Sequence, residues 1–414
     1  MTDRRRIEGR LPDLLAELAP ARVPDYFDEL CRAVERTPQR PAWRSLERWL
    51  PMGAIARPAP LGLPSWRPLI LLGLLLLALV AGTTLVAGSF RHQLAPPFGL
   101  AANGPIVFAT ADGNILQVDP ATGLTTDLEA SDAVDSAPWF SRDGSRLFFV
   151  RTGDDGDALM VADADGSGVR ELVPAGRLGD DVETSPTGDR VAIAGNQQRS
   201  TVSLVNVPSG ATAVLEFAGA VDAVTWRPEH DQLVLMGRPD GMRAGYWLVG
   251  TDGSNLALLP TVGSVSNKPV FSPDGRRLVY STWDDDGAGG QGLVHILDVD
   301  QGQDAELARN PEYARLNVVL SPDGTRILLE RYDTTDHYQV AILPIDGGPE
   351  VVLGDPHGQM ANGAALQWSP DGTQVLVTYR DDGTTWLYPA DGSTAGEQVP
   401  WPTTEMASWQ RLAP

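Results

Sequence analysis

Residues 368–378 read WSPDGTQVLVT, which is an aromatic residue, a Ser-Pro-Asp-Gly turn and a run of apolar side chains. Proline has the φ angle required at the second position of a type I turn, and aspartate suits the third. Glycine adopts the left-handed conformation that closes a bulged hairpin. The run after the turn has the residue types of a β-strand. The stretch therefore predicts two antiparallel strands joined by a tight turn.

Copies of this phrase recur to the end of the chain. The best are at 271–275, 320–324 and 368–372, and degraded or shortened ones begin near residues 139, 184, 226 and 408. The serine or its equivalent, here called the anchor, falls at residues 141, 185, 227, 272, 321, 369 and 410. Repeats of about 40–50 residues are typical of propeller blades or helical solenoids. In most copies two further strand-like runs follow, so the pattern predicts four-stranded antiparallel blades.

The repeat resembles that of the TolB-type propellers, also called the PD40 or WD40-like repeat, over residues 105–413. Residues 106–109 and 115–118 look like second and third strands without a first strand. Residues 407–412 look like a first strand without a blade. Joining them completes a mainly β, seven-bladed propeller over residues 105–414 and removes the exposed sheet edges.

A membrane anchor is predicted before the propeller. Residues 69–88 are twenty consecutive uncharged residues, enough to span a bilayer as a helix. A cleaved signal peptide is the rival interpretation, but 68 residues precede the apolar run. Arginines are concentrated on the N-terminal side, so we expect a type II single-pass protein in the cell membrane, with a cytoplasmic N-terminus and an extracytoplasmic propeller. The predicted divisions are a cytoplasmic helical segment (1–67), the span (68–90) and a linker (91–104).

The N-terminal segment contains short amphipathic helical patterns, such as Leu11, Leu14, Leu15 and Leu18. One interpretation is an anchor with a membrane-surface helix, and another is a segment that folds on a cytoplasmic partner. The layout, and residues 36–52, resemble bacterial membrane proteins of anti-sigma type, which implies a sigma factor as the partner of residues 1–67. The zinc motif of those proteins is missing, because Cys31 is the chain's one cysteine.

Composition and motifs argue against several kinds of function. The net charge of −22 argues against nucleic-acid binding. The five histidines form no ligand pair, and no Gly-x-Ser-x-Gly elbow is present. The acidic stretch from Asp163 imitates the start of a calcium loop, but Pro174 occupies the position that needs glutamate, so hairpin turns explain such acids better. We therefore predict no catalytic residue, metal site or cofactor, and no enzymatic activity.

The tryptophans suggest where a ligand could bind. Trp139, Trp226, Trp368 and Trp409 fall at the aromatic position of the repeat, where packing between blades explains them. Trp283 lies off that position, beside an acidic loop, so the predicted rim contact consists of Trp283, Asp284, Asp285 and Asp286. The leading hypothesis is an envelope protein whose propeller binds an extracytoplasmic protein, peptide or glycan. The alternatives are a transmembrane regulator of anti-sigma type and, third, a hydrolase or lyase.

Overall fold

The computed structural model describes residues 94–413 except 130–132, 196–199, 241, 266, 285–290, 309–313, 334–336, 360–362, 381 and 402–406. All regular secondary structure within these ranges is β-strand. None of the described residues lies in a helix that could cross a bilayer. The predicted span at 69–88 and the predicted N-terminal helices lie outside the described residues.

The described chain forms 29 strands. In chain order they are β1 (Ala102–Ala109), β2 (Ile115–Val118), β3 (Thr125–Glu129), β4 (Val134–Phe140), β5 (Arg146–Gly153), β6 (Gly156–Asp163), β7 (Arg170–Val173), β8 (Asp181–Thr184), β9 (Arg190–Ala194), β10 (Thr201–Asn206), β11 (Thr212–Glu216), β12 (Gly219–Trp226), β13 (Gln232–Pro239), β14 (Gly245–Gly250), β15 (Ala257–Leu258), β16 (Ser264–Val265), β17 (Val270–Phe271), β18 (Arg277–Asp284), β19 (Gln291–Asp298), β20 (Gln303–Ala308), β21 (Ala314–Leu320), β22 (Arg326–Tyr332), β23 (His337–Pro344), β24 (Val351–Gln359), β25 (Ala364–Trp368), β26 (Gln374–Tyr379), β27 (Thr385–Pro389), β28 (Glu397–Val399) and β29 (Ser408–Leu412).

These strands form seven antiparallel sheets, as the repeat predicted. Blades 2, 3 and 4 consist of β4–β7, β8–β11 and β12–β15, each in chain order. Blade 5 contains β16–β20, where β16 and β17 both pair with β18 and share the role of the first strand. Blades 6 and 7 consist of β21–β24 and β25–β28. The first strand of each blade lies innermost in the ring.

Blade 1 is built from both ends of the propeller. Its strand order is β29-β1-β2-β3, so the last strand of the chain supplies the innermost strand. Val107 pairs with Ser408 and Ile106 with Trp409, and the Trp409 indole N–H donates to the carbonyl of Gly104 at 2.8 Å. The prediction that residues 407–412 complete the ring is confirmed. Strand β1 begins at Ala102, within the segment predicted as a linker (91–104).

The Ser-Pro-Asp-Gly turns share one hydrogen-bond arrangement. In blade 7 the buried Ser369 hydroxyl donates to Asp371 Oδ1 at 2.6 Å and accepts the amide N–H of Gln374 at 2.9 Å. Gly372 has a φ of 70°, the left-handed conformation that the sequence predicted. In the degraded copy of blade 3, Ser185 donates instead to Asp189, two residues later than the usual aspartate. The turn therefore keeps its buried serine–aspartate bond although one residue of the motif is lost.

The innermost strands are interrupted at a common height. The pairing of the first and second strands shifts around Ala137 in blade 2, before Ala223 in blade 4 and around Asn317 in blade 6. In blade 5 the residues between β16 and β17 take this place and include Lys268. Such β-bulges redirect side chains relative to a regular strand. In blade 5 the interruption carries a charged side chain into the centre of the ring.

The core lies between neighbouring blades rather than within a single sheet. The cluster between blades 6 and 7, for example, contains the fully buried Tyr338 and Tyr379, whose ring centres are 6.1 Å apart. Apolar clusters of this kind join each blade to the next around the ring. Contacts made in this way fix the position of every innermost strand and so define the shape of the central cavity.

Candidate functional site

A cavity of about 630 Å³ lies inside the ring. The innermost strands of blades 1, 2, 3, 5, 6 and 7 line it, together with residues 97–99 of the segment that precedes the first strand. One part of the wall is apolar or aromatic, and includes Val319, Leu320 and Trp368. The opposite part, on blade 3, carries Asp181 and Glu183. The cavity therefore offers both apolar surface and charged groups to a ligand.

Lys268 of blade 5 reaches across the ring to blade 3. Its Nζ donates to Asp181 Oδ1 at 2.9 Å, to Asp181 Oδ2 at 3.0 Å and to Glu183 Oε2 at 2.9 Å. Blade 4, which lies between them, has the small Ala223 at the corresponding position, and its Val224 N–H donates to Asp181 Oδ2 at 2.8 Å. These residues, called the lysine cluster, connect the innermost strands of three blades.

The electrostatics of the lysine cluster keep its lysine charged. Burial raises the pKa of Asp181, because the charged form loses hydration and the Lys268 ammonium offsets this only in part. Burial acts to lower the pKa of Lys268, but the attraction of Glu183 and Asp181 outweighs it and the net pKa is raised. Lys268 is therefore an ammonium at neutral pH, held by two carboxyl groups.

The other end of the cavity lies beside the Ser-Pro-Asp-Gly turns and is called the turn-side mouth. Arg142 of blade 2 and Arg411 of blade 1 line it. The guanidinium carbon of Arg142 lies 5.3 Å from the centre of the Phe98 ring, and its side chain is about half exposed. Arg411 donates to the carbonyls of Pro96 at 3.0 Å and Gly99 at 2.7 Å. These contacts hold residues 96–99 along the mouth.

Trp283 and Asp284 of the predicted rim contact do not lie on the innermost strands that line the cavity. Trp283 and Asp284 end β18, the second strand of blade 5, and Trp283 pairs with Ser264 and Gly292. Asp285 and Asp286 lie outside the described residues. The backbone thus places Trp283 one strand away from the cavity, and the rim contact stays a prediction.

The tryptophans at the repeat's aromatic position pack between blades, as predicted. Trp226 and Trp368 are buried, and each donates its indole N–H to a carbonyl on the preceding blade, Glu183 at 3.1 Å and Val319 at 3.2 Å respectively. Among those off that position, Trp401 is buried and stacks on Phe108 with ring centres 6.2 Å apart. Structural packing thus accounts for these indoles.

Other titratable groups form local contacts. His295 is buried in blade 5, where its Nδ1 lies 2.9 Å from Asp304 Oδ1 and its ring stacks on Tyr280. Asp165 Oδ1 accepts hydrogen bonds from the amide and the hydroxyl of Ser167, and these bonds lower the pKa of Asp165. The backbone bonds between Asp163 and Gly166 and between Asp163 and Ser167 show that this acidic stretch forms a hairpin turn. Within the described ranges, His, Cys, Asp and Glu side chains form no group of three that could hold a metal ion.

The sequence contained a signal for the lysine cluster that motif reasoning missed. Lys268 is the single lysine among 414 residues, whereas arginine supplies the other 31 basic side chains. This lysine occurs once, at a position of the innermost strand that every blade repeats, and it is therefore an exception to the repeat. The lysine cluster also depends on a contact between residues 87 positions apart, which no local pattern reports.

Comparison with known proteins agrees with this architecture. Residues 151–405, more than half of the chain, match the PD40 family, described as the TolB beta propeller domain. TolB from Acinetobacter baumannii is 18% identical over 73% of this chain and 81% of its own, with a TM-score of 0.50. Oligogalacturonate lyase from Vibrio parahaemolyticus is 14% identical over 72% of this chain and 89% of its own, with a TM-score of 0.55. At these identities the two structures show a shared fold, and the match over residues 151–405 places this chain in the TolB β-propeller domain family.

Proposed function

We propose that the propeller is a binding module that takes a peptide segment of a partner protein into its central cavity. The observation that carries this proposal is the cavity itself, with one apolar wall and one wall of fixed charges. Its volume of about 630 Å³ is within the range of ligand pockets. An apolar wall supplies affinity through burial, and fixed charges orient the ligand. The innermost strands that supply both are held on each side by packed blades.

The charged groups of the cavity favour binding over catalysis. A lysine that acts as a base or nucleophile needs a lowered pKa, whereas the pKa of Lys268 is raised. Asp181 and Glu183 are both engaged with that ammonium. We therefore propose a non-enzymatic role, in which the lysine cluster is a rigid polar part of the binding surface.

A direct test measures peptide binding to the cavity. We expect linear hexapeptides selected on the purified full-length protein to bind it in isothermal titration calorimetry. Val319→Trp, which fills part of the cavity, should weaken binding of the selected peptides, whereas Val214→Trp on the exposed outer strand of blade 3 should not. Equal binding to both variants would refute a peptide site in the cavity.

We also propose that the helix predicted at residues 69–88 anchors the propeller outside the cytoplasm. The uncharged run and the arginine-rich sequence before it support this topology. Reporter fusions test it: a C-terminal alkaline phosphatase should be active, and a C-terminal green fluorescent protein exported by the Sec route should be dark. The opposite pattern would exclude an extracytoplasmic propeller.

A further inference from the structure

The residue that follows the serine of each repeat, or its equivalent, distinguishes two neighbouring blades from the other five. It is proline in blades 3 to 7 and arginine in blades 2 and 1, at positions Pro186, Pro228, Pro273, Pro322, Pro370, Arg142 and Arg411. Pro273, Pro322 and Pro370 line the turn-side mouth of the cavity. The repeat thus has an uncharged proline at five of the seven positions around this mouth. At the other two positions, which belong to neighbouring blades, the residue is a positively charged arginine.

The two arginines are close in space and are poorly compensated. The blade 1 strand lies against the blade 2 turn, since the Gln410 side chain donates to the carbonyl of Gly144 at 2.8 Å. Burial and the charge of Arg142 lower the pKa of Arg411 to about 10. The Nε atom of Arg411 is buried and has no hydrogen-bond partner among the described residues. Two adjacent guanidinium groups favour an anion between them.

Glu183 and Asp181, which line the cavity, compensate this pair only in part. Glu183 Oε1 is 4.0 Å from Arg142, while its other oxygen accepts Lys268 at 2.9 Å. Asp181 contacts Lys268 and the Val224 amide. Asp181 stands four residues before its anchor, whereas Arg142 stands one residue after its own, which separates them by about 16 Å along the innermost strands. Asp181 and the Lys268 ammonium therefore lie deep in the ring, whereas the two arginines lie at the turn-side mouth.

We propose that Arg142 and Arg411 form an anion site that binds a carboxylate of the peptide in the cavity. The inference rests on the proposed peptide-binding function and adds the polarity of the ligand: its acidic group lies at the turn-side mouth. The planar guanidinium group of Arg142 suits a carboxylate, because it can donate two parallel N–H bonds. Arg411 adds positive charge beside it, while its Nη2 stays bonded to the carbonyls of Pro96 and Gly99. The ring of Phe98 packs against Arg142 and limits the directions in which its guanidinium can turn.

The test compares hexapeptides that differ in their carboxylates. Amidated hexaglutamate carries side-chain carboxylates alone, hexaglutamine with a free terminus carries one terminal carboxylate, and amidated hexaglutamine carries none. We expect at least one acidic peptide to bind the full-length protein about tenfold or more tightly than the neutral one. This preference should weaken as salt is added. The peptide that binds tells whether a side chain or a C-terminus supplies the carboxylate.

Arg142→Pro is the decisive variant, because it restores the residue that the same turn has in five other blades. We expect it to remove the preference for acidic peptides, and Arg142→Gln to do the same if the proline variant folds poorly. Arg243→Gln is the matched control, since Arg243 is exposed in a loop of blade 4 and the charge change is identical.

Three results would overturn the proposal. The first is an acidic preference that is unchanged in Arg142→Pro and Arg142→Gln. The second is no measurable binding of either acidic peptide at about 1 mM. The third is trigalacturonate, an acidic glycan, binding in an Arg142-dependent way while the acidic peptides do not. If the peptides selected for the cavity still bind without any preference for acids, the anion site alone is refuted and the peptide-binding function stands.

Discussion

The guanidinium carbon of Arg326 lies 4.8 Å from the centre of the Trp368 ring, which belongs to the next blade. Arg326 also donates to the carbonyl of Gly372 at 2.6 Å, within the turn that follows Trp368. Arg190 and Trp226 repeat the stacking between blades 3 and 4, again at 4.8 Å. At both of these blade interfaces, an arginine at the start of a second strand stacks on the tryptophan at the end of the first strand of the next blade.

Replacing Arg326 by alanine should lower the free energy of unfolding by about 1–3 kcal/mol, because a partly buried cation–π contact and a charge-assisted hydrogen bond are lost together. Arg326→Lys should recover a minor part of this, since an ammonium cannot stack as a planar group. Urea unfolding measures both variants. Arg243→Ala, on an exposed loop, should have little effect. A similar loss in Arg243→Ala would show that the effect is one of overall charge.

Lys268→Met should destabilise the propeller by about 1–3 kcal/mol at neutral pH, because two carboxylates then face each other without their cation. The loss should decrease as the pH is lowered, since burial already raises the pKa of Asp181, removal of the ammonium raises it further, and protonation relieves the repulsion. Replacing Asp181 by Asn and Glu183 by Gln in the same chain should restore much of the stability. If the triple variant is no more stable than Lys268→Met, the lysine cluster does not act as a charge network.

The turn aspartates predict loss of stability in acid. Burial opposes ionisation of Asp274, but hydrogen bonds from Ser272 and the Arg276 amide outweigh it, so its pKa lies below the ordinary value of 3.8. Asp323 and Asp371 are lowered in the same way. A carboxyl group whose pKa falls on folding stabilises the folded state above the unfolded pKa. That contribution is lost as the pH falls through the folded pKa.

Unfolding free energies measured between neutral pH and about pH 3 should therefore decrease below about pH 4. In Asp274→Asn this decrease should be smaller, because one of the groups that drive it is gone. Asp346→Asn is the control, since Asp346 is an exposed turn acid with only a 3.9 Å contact to Arg277. Equal slopes in the wild type and Asp274→Asn would show that the turn bond does not select the ionised form.

Deleting residues 406–414 should open the ring, because β1 then loses its pairing with β29. The hydrogen bond from the Trp409 indole to the carbonyl of Gly104 is lost as well. The freed edge of β1 is a template for pairing with other chains. We expect a lower melting temperature and self-association in light scattering. A truncated protein that stays monomeric with unchanged thermal stability would contradict closure by β29.

The seven blades could be predicted because each is specified within a few residues. The Ser-Pro-Asp-Gly turn fixes a hairpin locally, and its recurrence at regular intervals fixes the number of sheets. Even the degraded copy of blade 3 keeps its turn bond, although Asp189 rather than the usual aspartate receives it. Local turn chemistry was therefore sufficient for the architecture and for closure by the last strand.

The cavity could not be predicted in the same way. Lys268 meets Asp181 because the ring curves and because blade 4 has alanine between them, and neither condition is visible in a linear pattern. The sequence directed attention to Trp283 because of its acidic neighbours, whereas its backbone lies on a second strand. What a repeat does reveal is its exceptions: the single lysine and the two arginines at proline positions were all readable in the sequence.

Closure by the last strand also bears on how the gene for such a domain can be rearranged. Ala102 and Leu412 are paired neighbours, so a short linker could join the two ends without crossing another strand. A circular permutant that is opened instead at the exposed loop near Met242 would keep every blade and simply move the seam from blade 1 to blade 4. The position of the chain termini within the ring can therefore change while the same seven blades form.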